Sequence, residues 1–209
     1  MTKIEKTAAK KRIFDTAVDL FARKGYDAVG VREIAEAAGV NISMISYYFG
    51  GKIGILKIIL EDFHGAYLNI LEKAIQQGGS SEEKIAFVVS SIVDFMRKNT
   101  NLVMVGFNTM PFEIPEIHEM KSEKVHQLMQ TAAILFKEVA FDPKDSTFFA
   151  IIGPSFISMM HSHFRFQSVQ KEILHLKFDE AFYSRYKSIL TTLLLSGIRG
   201  LKTLQEDES

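Results

Sequence analysis

From Glu33 to Lys52 the chain reads EIAEAAGVNISMISYYFGGK: an alanine-rich stretch, a glycine, a polar segment, two adjacent tyrosines and a Gly-Gly-Lys end. Ala35, Gly39 and Ile45 stand in it at offsets of four and then six residues. Two helices that cross steeply over a short turn need a small side chain where they meet and a turn residue that accepts positive φ. They also need a branched apolar side chain that plugs the second helix into the first. Ala35, Gly39 and Ile45 supply these in order, so the stretch reads as a helix-turn-helix. Asn41 is a good N-cap for the second helix, with Ser43 as the alternative, because a short side-chain oxygen accepts an N–H that the first turn leaves unbonded. Ile45 and Phe49 then face inward. Asn41, Ser43, Met44 and Tyr47 point out from a short helix, where a recognition helix meets base edges in the major groove.

The residues that follow extend this reading. Gly50-Gly51 ends the short helix and Lys52 opens a long one, so free N–H groups and a cation stand beside the recognition helix, as a DNA phosphate requires. Tyr48 packs inward while its hydroxyl reaches the phosphate backbone, and Tyr47 faces out. Charge divides the same way. The whole chain is neutral, with 25 basic and 25 acidic residues, yet residues 1–60 hold ten basic against six acidic. A basic end on an acidic body is the footprint of a phosphate-binding head.

Helical periodicity runs through the rest. In residues 11–25, KRIFDTAVDLFARKG, Ile13, Ala17, Leu20 and Phe21 share one stripe and Gly25 closes the helix. From Lys52 a long helix carries Leu56, Leu60, Phe63, Tyr67 and Ile70 and stops at QQGGSS. Ser80 or Ser81 caps the next, residues 82–98, which is apolar on two sides and therefore buried. Beyond Pro111 and Pro115 the pattern predicts a helix from Glu116, a stop at FDPKDS and a long helix to about Phe166. A connection of about a dozen residues, a last helix from Asp179 and a frayed tail at QEDES complete it. No stretch alternates long enough to argue a strand. The expected fold is all-α: an N-terminal three-helix helix-turn-helix head, residues 1–52, and a larger C-terminal helical domain, residues 53–209.

Composition sets outer bounds. With 209 residues, 47% of them apolar, the chain can bury a full-sized core. The absence of cysteine excludes disulfides and thiolate metal sites, and a reducing cytoplasm is the expected compartment. The longest apolar run, FFAIIGPSFISMM, is well short of the roughly 20 residues a spanning helix needs, so no membrane partner is expected. The start, MTKIEKTAAKKR, has no apolar segment or cleavage site of a signal peptide after it. There is no Gly-rich phosphate loop, no G-x-S-x-G and no H-E-x-x-H, so neither an enzyme nor a cofactor is expected.

The residues quoted above carry a resemblance. LFARKGYDAVGVREIAEAAGV (Leu20–Val40) and ISYYFGGK (Ile45–Lys52) make residues 10–60 similar to the DNA-binding domain of the TetR family of bacterial transcriptional regulators. The resemblance implies a homodimeric, all-helical repressor whose C-terminal domain binds a small molecule and thereby releases a palindromic operator in double-stranded DNA. It implies that Arg32, Ile42, Ser43 and Met44 touch bases and that Tyr47, Tyr48 and Lys52 hold phosphate; Asn41 joins these DNA-binding candidates from the helix-turn-helix reading alone. Three positions depart from the family pattern: Gly30 stands where a capping Ser or Thr is common, Ser46 where Tyr is frequent, and Ile53 where Glu is common.

The C-terminal domain is rich in phenylalanine and methionine. Its expected ligand pocket is lined by Phe63, Tyr67, Phe95, Met104, Phe107, Met110, Met129, Phe136, Phe156 and His163, for an apolar or aromatic effector. The long helix from Lys52 past Phe63 and Tyr67 is the expected lever between effector and DNA. His118 and His126 lie eight apart and His161 and His163 two apart, neither being the i, i+4 pair of a metal site, so no metal is expected. The last helix carries Phe182, Tyr186, Ile189, Leu190, Leu193 and Gly197 on one stripe. By the resemblance it pairs with the helix containing Pro154 in a four-helix dimer interface; packing within the monomer is the alternative. Two other functions stay distinguishable. A helical metal- or small-molecule-binding enzyme would hold stoichiometric metal, and an architectural DNA binder would bind every duplex alike and ignore small molecules.

Overall fold

The structure is a computed structural model and describes residues 3–108, 114–137 and 146–207. Among these residues every regular element is a helix: α1 (Lys3–Lys24), α2 (Val31–Ala37), α3 (Ile42–Phe49), α4 (Lys52–Gln76), α5 (Ser81–Lys98), α6 (Thr100–Asn108), α7 (Pro115–Lys137), α8 (Ser146–Leu174) and α9 (Glu180–Asp207). The all-α expectation holds. The chain divides into two compact units, Met1–Gly65 with Asn99–Lys124, and Ala66–Lys98 with Val125–Ser209.

In the first unit the apolar stripe of α1 is buried at Ile13, Ala17 and Phe21. Gly25, at φ 82°, ends the helix by donating its N–H to the Phe21 carbonyl at 3.0 Å. α2 packs on α1 and α3, and α6 packs on α1. The core runs from Ile13 and Phe21 through Ile34, Ile45, Ile55, Leu56, Ile59 and Leu60 to Val105 of α6 and Ile117 of α7. Each such aliphatic side chain, fully buried, contributes about 1.5–3 kcal/mol, so α1, α2, α3 and the start of α4 are held in one fixed arrangement. Asn101 adds a polar tie, donating from Nδ2 to Asp19 Oδ1 at 3.1 Å.

In the second unit α5 packs on α8 and α9 and buries both of its apolar sides, Ile85, Val88 and Ile92 on one and Val89, Val93 and Met96 on the other. Its start is a reciprocal cap. Ser80 Oγ accepts the Glu83 N–H at 3.2 Å, and Glu83 Oε2 accepts the Ser80 N–H at 2.8 Å. Arg97 grips Glu180 with two N–H groups, at 3.1 and 2.5 Å, and Lys187 pairs with Asp94 at 2.6 Å, fixing α5 against α9.

Two boundaries differ from the sequence pattern. α8 continues two turns beyond Phe166 to Leu174, because QSVQKEIL contains no breaker and nothing stops the helix until His175 adopts φ 51°. The connection to α9 is thus only residues 175–179. There Asp179 caps α9, its Oδ1 accepting the Phe182 N–H at 3.0 Å. At the other end α9 runs through most of QEDES to Asp207. No single helix among the described residues is long and apolar enough to cross a membrane.

Candidate nucleic-acid interface

The turn between α2 and α3 is built from four backbone choices. Ala38 N–H bonds Ile34 O at 2.9 Å and Val40 N–H reaches Ala35 O at 3.0 Å, which closes α2. Gly39 sits at φ 63°, with open space where a Cβ would stand, so the left-handed backbone alone calls for glycine. Asn41 is extended, and its Oδ1 accepts both the Ser43 N–H at 2.9 Å and the Ser43 hydroxyl at 2.8 Å. Gly50 at φ 70° terminates α3 by donating to Ser46 O, and Gly51 at φ 117° leads into α4. The paired glycines are therefore two consecutive left-handed residues.

This frame decides what α3 presents. Ile45 and Phe49 are buried in the first unit's core, and Ala35 is buried where α2 packs on α3. Ile42, Ser43, Ser46 and Tyr47 are exposed, Tyr47 at 73%, as is Arg32 on α2. Tyr48 is half-buried against the core and meets Tyr47 edge-on at 5.0 Å. Met44, expected to point out, does less than that, and Asn41, though exposed, is engaged in the cap. Met44 is half-buried on the core, because it neighbours Ile45 about 100° around the helix, at the edge of the buried stripe. Asn41 spends its carbonyl oxygen on the cap, which also engages Ser43 Oγ.

The sequence reading missed two structural requirements. A methyl at Gly54 would land on the Phe49 carbonyl, so only glycine lets the first turn of α4 lie against the end of α3. A methyl at Gly106 would strike the ring of Phe63. The signal for both was present as a glycine inside a helical pattern, which costs about 1 kcal/mol unless close packing needs it. Gly30 is the N-cap of α2 and makes no side-chain bond, as its departure from the family pattern implied.

Electrostatics sorts the basic residues. Lys11 pairs with Asp15 at 2.5 Å, Arg23 with Asp19 at 3.0 Å, Lys24 with Glu33 at 2.6 Å and Lys57 with Glu116 at 2.5 Å. The Lys24 hydrogen bond holds the Glu33 carboxyl below its usual range. Arg12 Nε donates to Ala38 O at 3.4 Å, on the turn itself. Lys52 and Lys10 rest on aromatic rings instead: the Lys52 Nζ lies 4.1 Å from the centre of Tyr26, and the Lys10 Nζ lies 5.7 Å from that of Phe49.

Residues 13–58, which span α2, α3 and the start of α4, match the family described as "Bacterial regulatory proteins, tetR family". Residues 13–58 thus form a DNA-binding domain of the TetR family of bacterial regulatory proteins. Among its relatives is the "Probable HTH-type transcriptional regulator YttP" of Bacillus subtilis strain 168. The two are 28% identical over 188 residues, which cover 87% of this chain and 89% of that protein. A TetR-like transcriptional regulator from Rhodococcus sp. RHA1 superimposes with a TM-score of 0.68 at 17% identity, over 92% of this chain and 96% of the other. FadR from Bacillus subtilis, solved in complex with stearoyl-CoA, gives 0.63 at 21% identity, over 90% and 97%. These likenesses show the shared TetR-family fold of a helix-turn-helix head and a larger helical domain, and the chain is a DNA-binding transcriptional regulator.

The residues expected to line a pocket fall in both units. Phe63, Met104 and Phe107 belong to the first, where Phe63 is buried against Gly106. Tyr67, Phe95, Met129, Phe156 and His163 belong to the second. There Tyr67 and Phe95 meet edge-on at 5.8 Å, Phe156 is buried and Met129 is exposed. Met110 and the side chain of Phe136 lie outside the described residues. One open depression in the second unit, at the end of α8, is lined by Gln167, Ser168, Lys171, Leu176, Lys177, Phe178 and Asp179, and none of the expected pocket residues borders it.

His163 is buried in a nest of rings, within 4.8–5.7 Å of Phe164, Phe178, Phe182, Tyr183 and Tyr186. Its Nδ1–H donates to Gln170 Oε1 at 2.7 Å, and Nε2 faces the Tyr183 hydroxyl at 3.3 Å. Burial lowers its pKa, against the opposing pull of Gln170. Phe182 and Tyr186 of the expected dimer stripe therefore pack on His163 of their own chain, and Leu190 is buried too. Pro154, Ile189, Leu193 and Gly197 remain exposed. Among the described residues no three acidic or histidine side chains come together as a metal site needs.

Proposed function

We propose that this chain is a homodimeric, ligand-responsive repressor of the bacterial cytoplasm that binds a palindromic operator in double-stranded DNA. Residues 1–52 form the DNA-binding domain and residues 53–209 the ligand-binding and dimerisation domain. The observation that carries the reading is the outer face of α3. Ile42, Ser43 and Tyr47 stand in solvent on a helix whose opposite face, Ile45 and Phe49, is locked in the core. Arg32, Ser43 and Ile42 read base edges, with Met44 contributing from the edge of the patch and Asn41 setting the helix start. Tyr47, Tyr48 and Lys52 hold phosphate.

Repression is relieved by a small apolar or aromatic molecule. The stearoyl-CoA bound by the Bacillus subtilis FadR neighbour supports an effector with a long apolar part. α4 supplies residues 52–65 to one compact unit and 66–76 to the other, which supports its role as the lever. The exposed Pro154, Ile189, Leu193 and Gly197 support a dimer through α8 and α9, with catalysis and cofactors playing no part.

The test is competition at physiological salt between a selected operator and a mixed-sequence duplex, followed by titration with acyl-CoA thioesters and aromatic acids. A preference of about a thousand-fold or more, abolished by one of these compounds, is expected. Equal affinity for both duplexes would make the protein an architectural binder, and stoichiometric metal with turnover would make it an enzyme.

A further inference from the structure

Apart from Arg12, which donates to the Ala38 carbonyl, the cations described in the first unit are held in two ways. Lys11, Arg23, Lys24 and Lys57 face carboxylates, which cancel their charge locally. Lys52 faces the ring of Tyr26 at 4.1 Å. An aromatic face attracts an ammonium through its quadrupole and carries no net charge, so it fixes the direction of the cation and leaves its full charge for a second partner. The ring occupies one side of the ammonium, and its remaining N–H groups are free to meet an anion.

The ring is itself fixed. Tyr26 is half-buried, packs on the head core and meets Phe21 edge-on at 5.2 Å, while Phe21 is buried. The other end of the lysine is fixed as well, since Lys52 is the first residue of α4 and follows the left-handed Gly51. A side chain with four rotatable bonds thus has its backbone and its head group held before DNA arrives. The ordering cost normally met on binding is reduced.

We infer that Tyr26 is a positioning residue for DNA binding: its ring aims the Lys52 ammonium at the phosphate backbone without neutralising it. The inference rests on the proposed phosphate contact of Lys52. It also explains why a tyrosine in the loop after α1, far from α3 in sequence, belongs to the interface.

The test is a double-mutant cycle on the full-length protein with a mixed-sequence duplex as probe, crossing Tyr26→Leu with Lys52→Ala. With Lys52 present, Tyr26→Leu is expected to weaken binding about five-fold; with Lys52→Ala the same change is expected to alter it by less than about two-fold. Tyr26→Phe keeps the ring and is expected to restore the lost affinity, which a purely structural need for a tyrosine hydroxyl would not allow. The same loss in both backgrounds, or Tyr26→Phe binding as poorly as Tyr26→Leu, overturns the inference while leaving the DNA-binding reading intact. Wild-type protein that binds no duplex overturns both.

Discussion

At the scale of single residues, the head depends on a few atoms that no pattern of hydrophobicity would pick out. Gly54→Ala puts a methyl group on the Phe49 carbonyl, and backbone cannot swing aside as a side-chain tip does. The substitution is expected to cost about 3 kcal/mol and to abolish DNA binding, measured by urea unfolding; a variant with wild-type stability would show that α3 and α4 do not approach so closely. DNA contacts divide by kind. Arg32→Ala and Ser43→Ala are expected to relax base preference at defined operator positions. Lys52→Ala is expected to weaken all duplexes alike and to lower the salt dependence by about one counterion per head. Indistinguishable sequence profiles for the two types of variant would contradict the assignment. The exposure of Ser43 and Tyr47 was legible in the sequence because helical spacing puts them opposite Ile45, whereas Arg32 was singled out through the family resemblance. Tyr26 was not legible, because its contact with Lys52 joins residues 26 positions apart and local periodicity says nothing of such a pair.

At the scale of the element, helix ends matter most where helices are short. α2 has seven residues, and its N-cap, Gly30, is extended at φ −92° with open space where a Cβ would stand. Gly30→Ser is therefore expected to stabilise the protein by about 0.5–1 kcal/mol, through a new cap and a less flexible unfolded chain, as a rise in unfolding midpoint. A fall would mean that the site needs glycine for a reason other than backbone shape. Asn41 and Gly39 show how well caps and turns can be read: a side-chain acceptor and a left-handed residue are local requirements, and the residue types announce them. The end of α8 shows the opposite. Residues 167–174 are competent for helix, and whether they continue one depends on neighbours such as Tyr183, which accepts from Gln167 Nε2 at 3.1 Å. The expected pocket rests on composition only, since apolar side chains at helical spacing look the same in a core and in a cavity wall.

At the scale of the whole molecule, burial of basic groups governs the response to pH. Burial lowers His64, His161 and His163 below the ordinary 6.5; Lys121 and Lys124 add repulsion at His64, and Arg165 at His161. The unfolded chain then binds more protons than the native one, so their contribution to stability is complete above about pH 6.5 and is lost as pH falls below it. Lys121, pushed down by burial to about 8 from 10.5, acts the same way higher up, and stability rises as pH climbs between those values. Burial raises Tyr67 and Tyr186, the latter to about 12, and both ionise near 10 when unfolded, so stability declines above pH 10. The urea midpoint is expected to climb from about pH 5 to 9 and to turn over beyond about 10. A flat midpoint across the lower range would contradict the burial of these groups. The grouping of residues 99–124 with the head segment was not legible in the sequence, because it rests on long-range packing of α6 against α1.

The central claim, a dimeric reader of DNA sequence, is tested most directly by selecting bound duplexes from a random pool with the purified protein and sequencing them. A palindromic motif about 14 to 20 base pairs long, its half-sites one helical turn apart, is the expected result; a bound pool with no motif would contradict it.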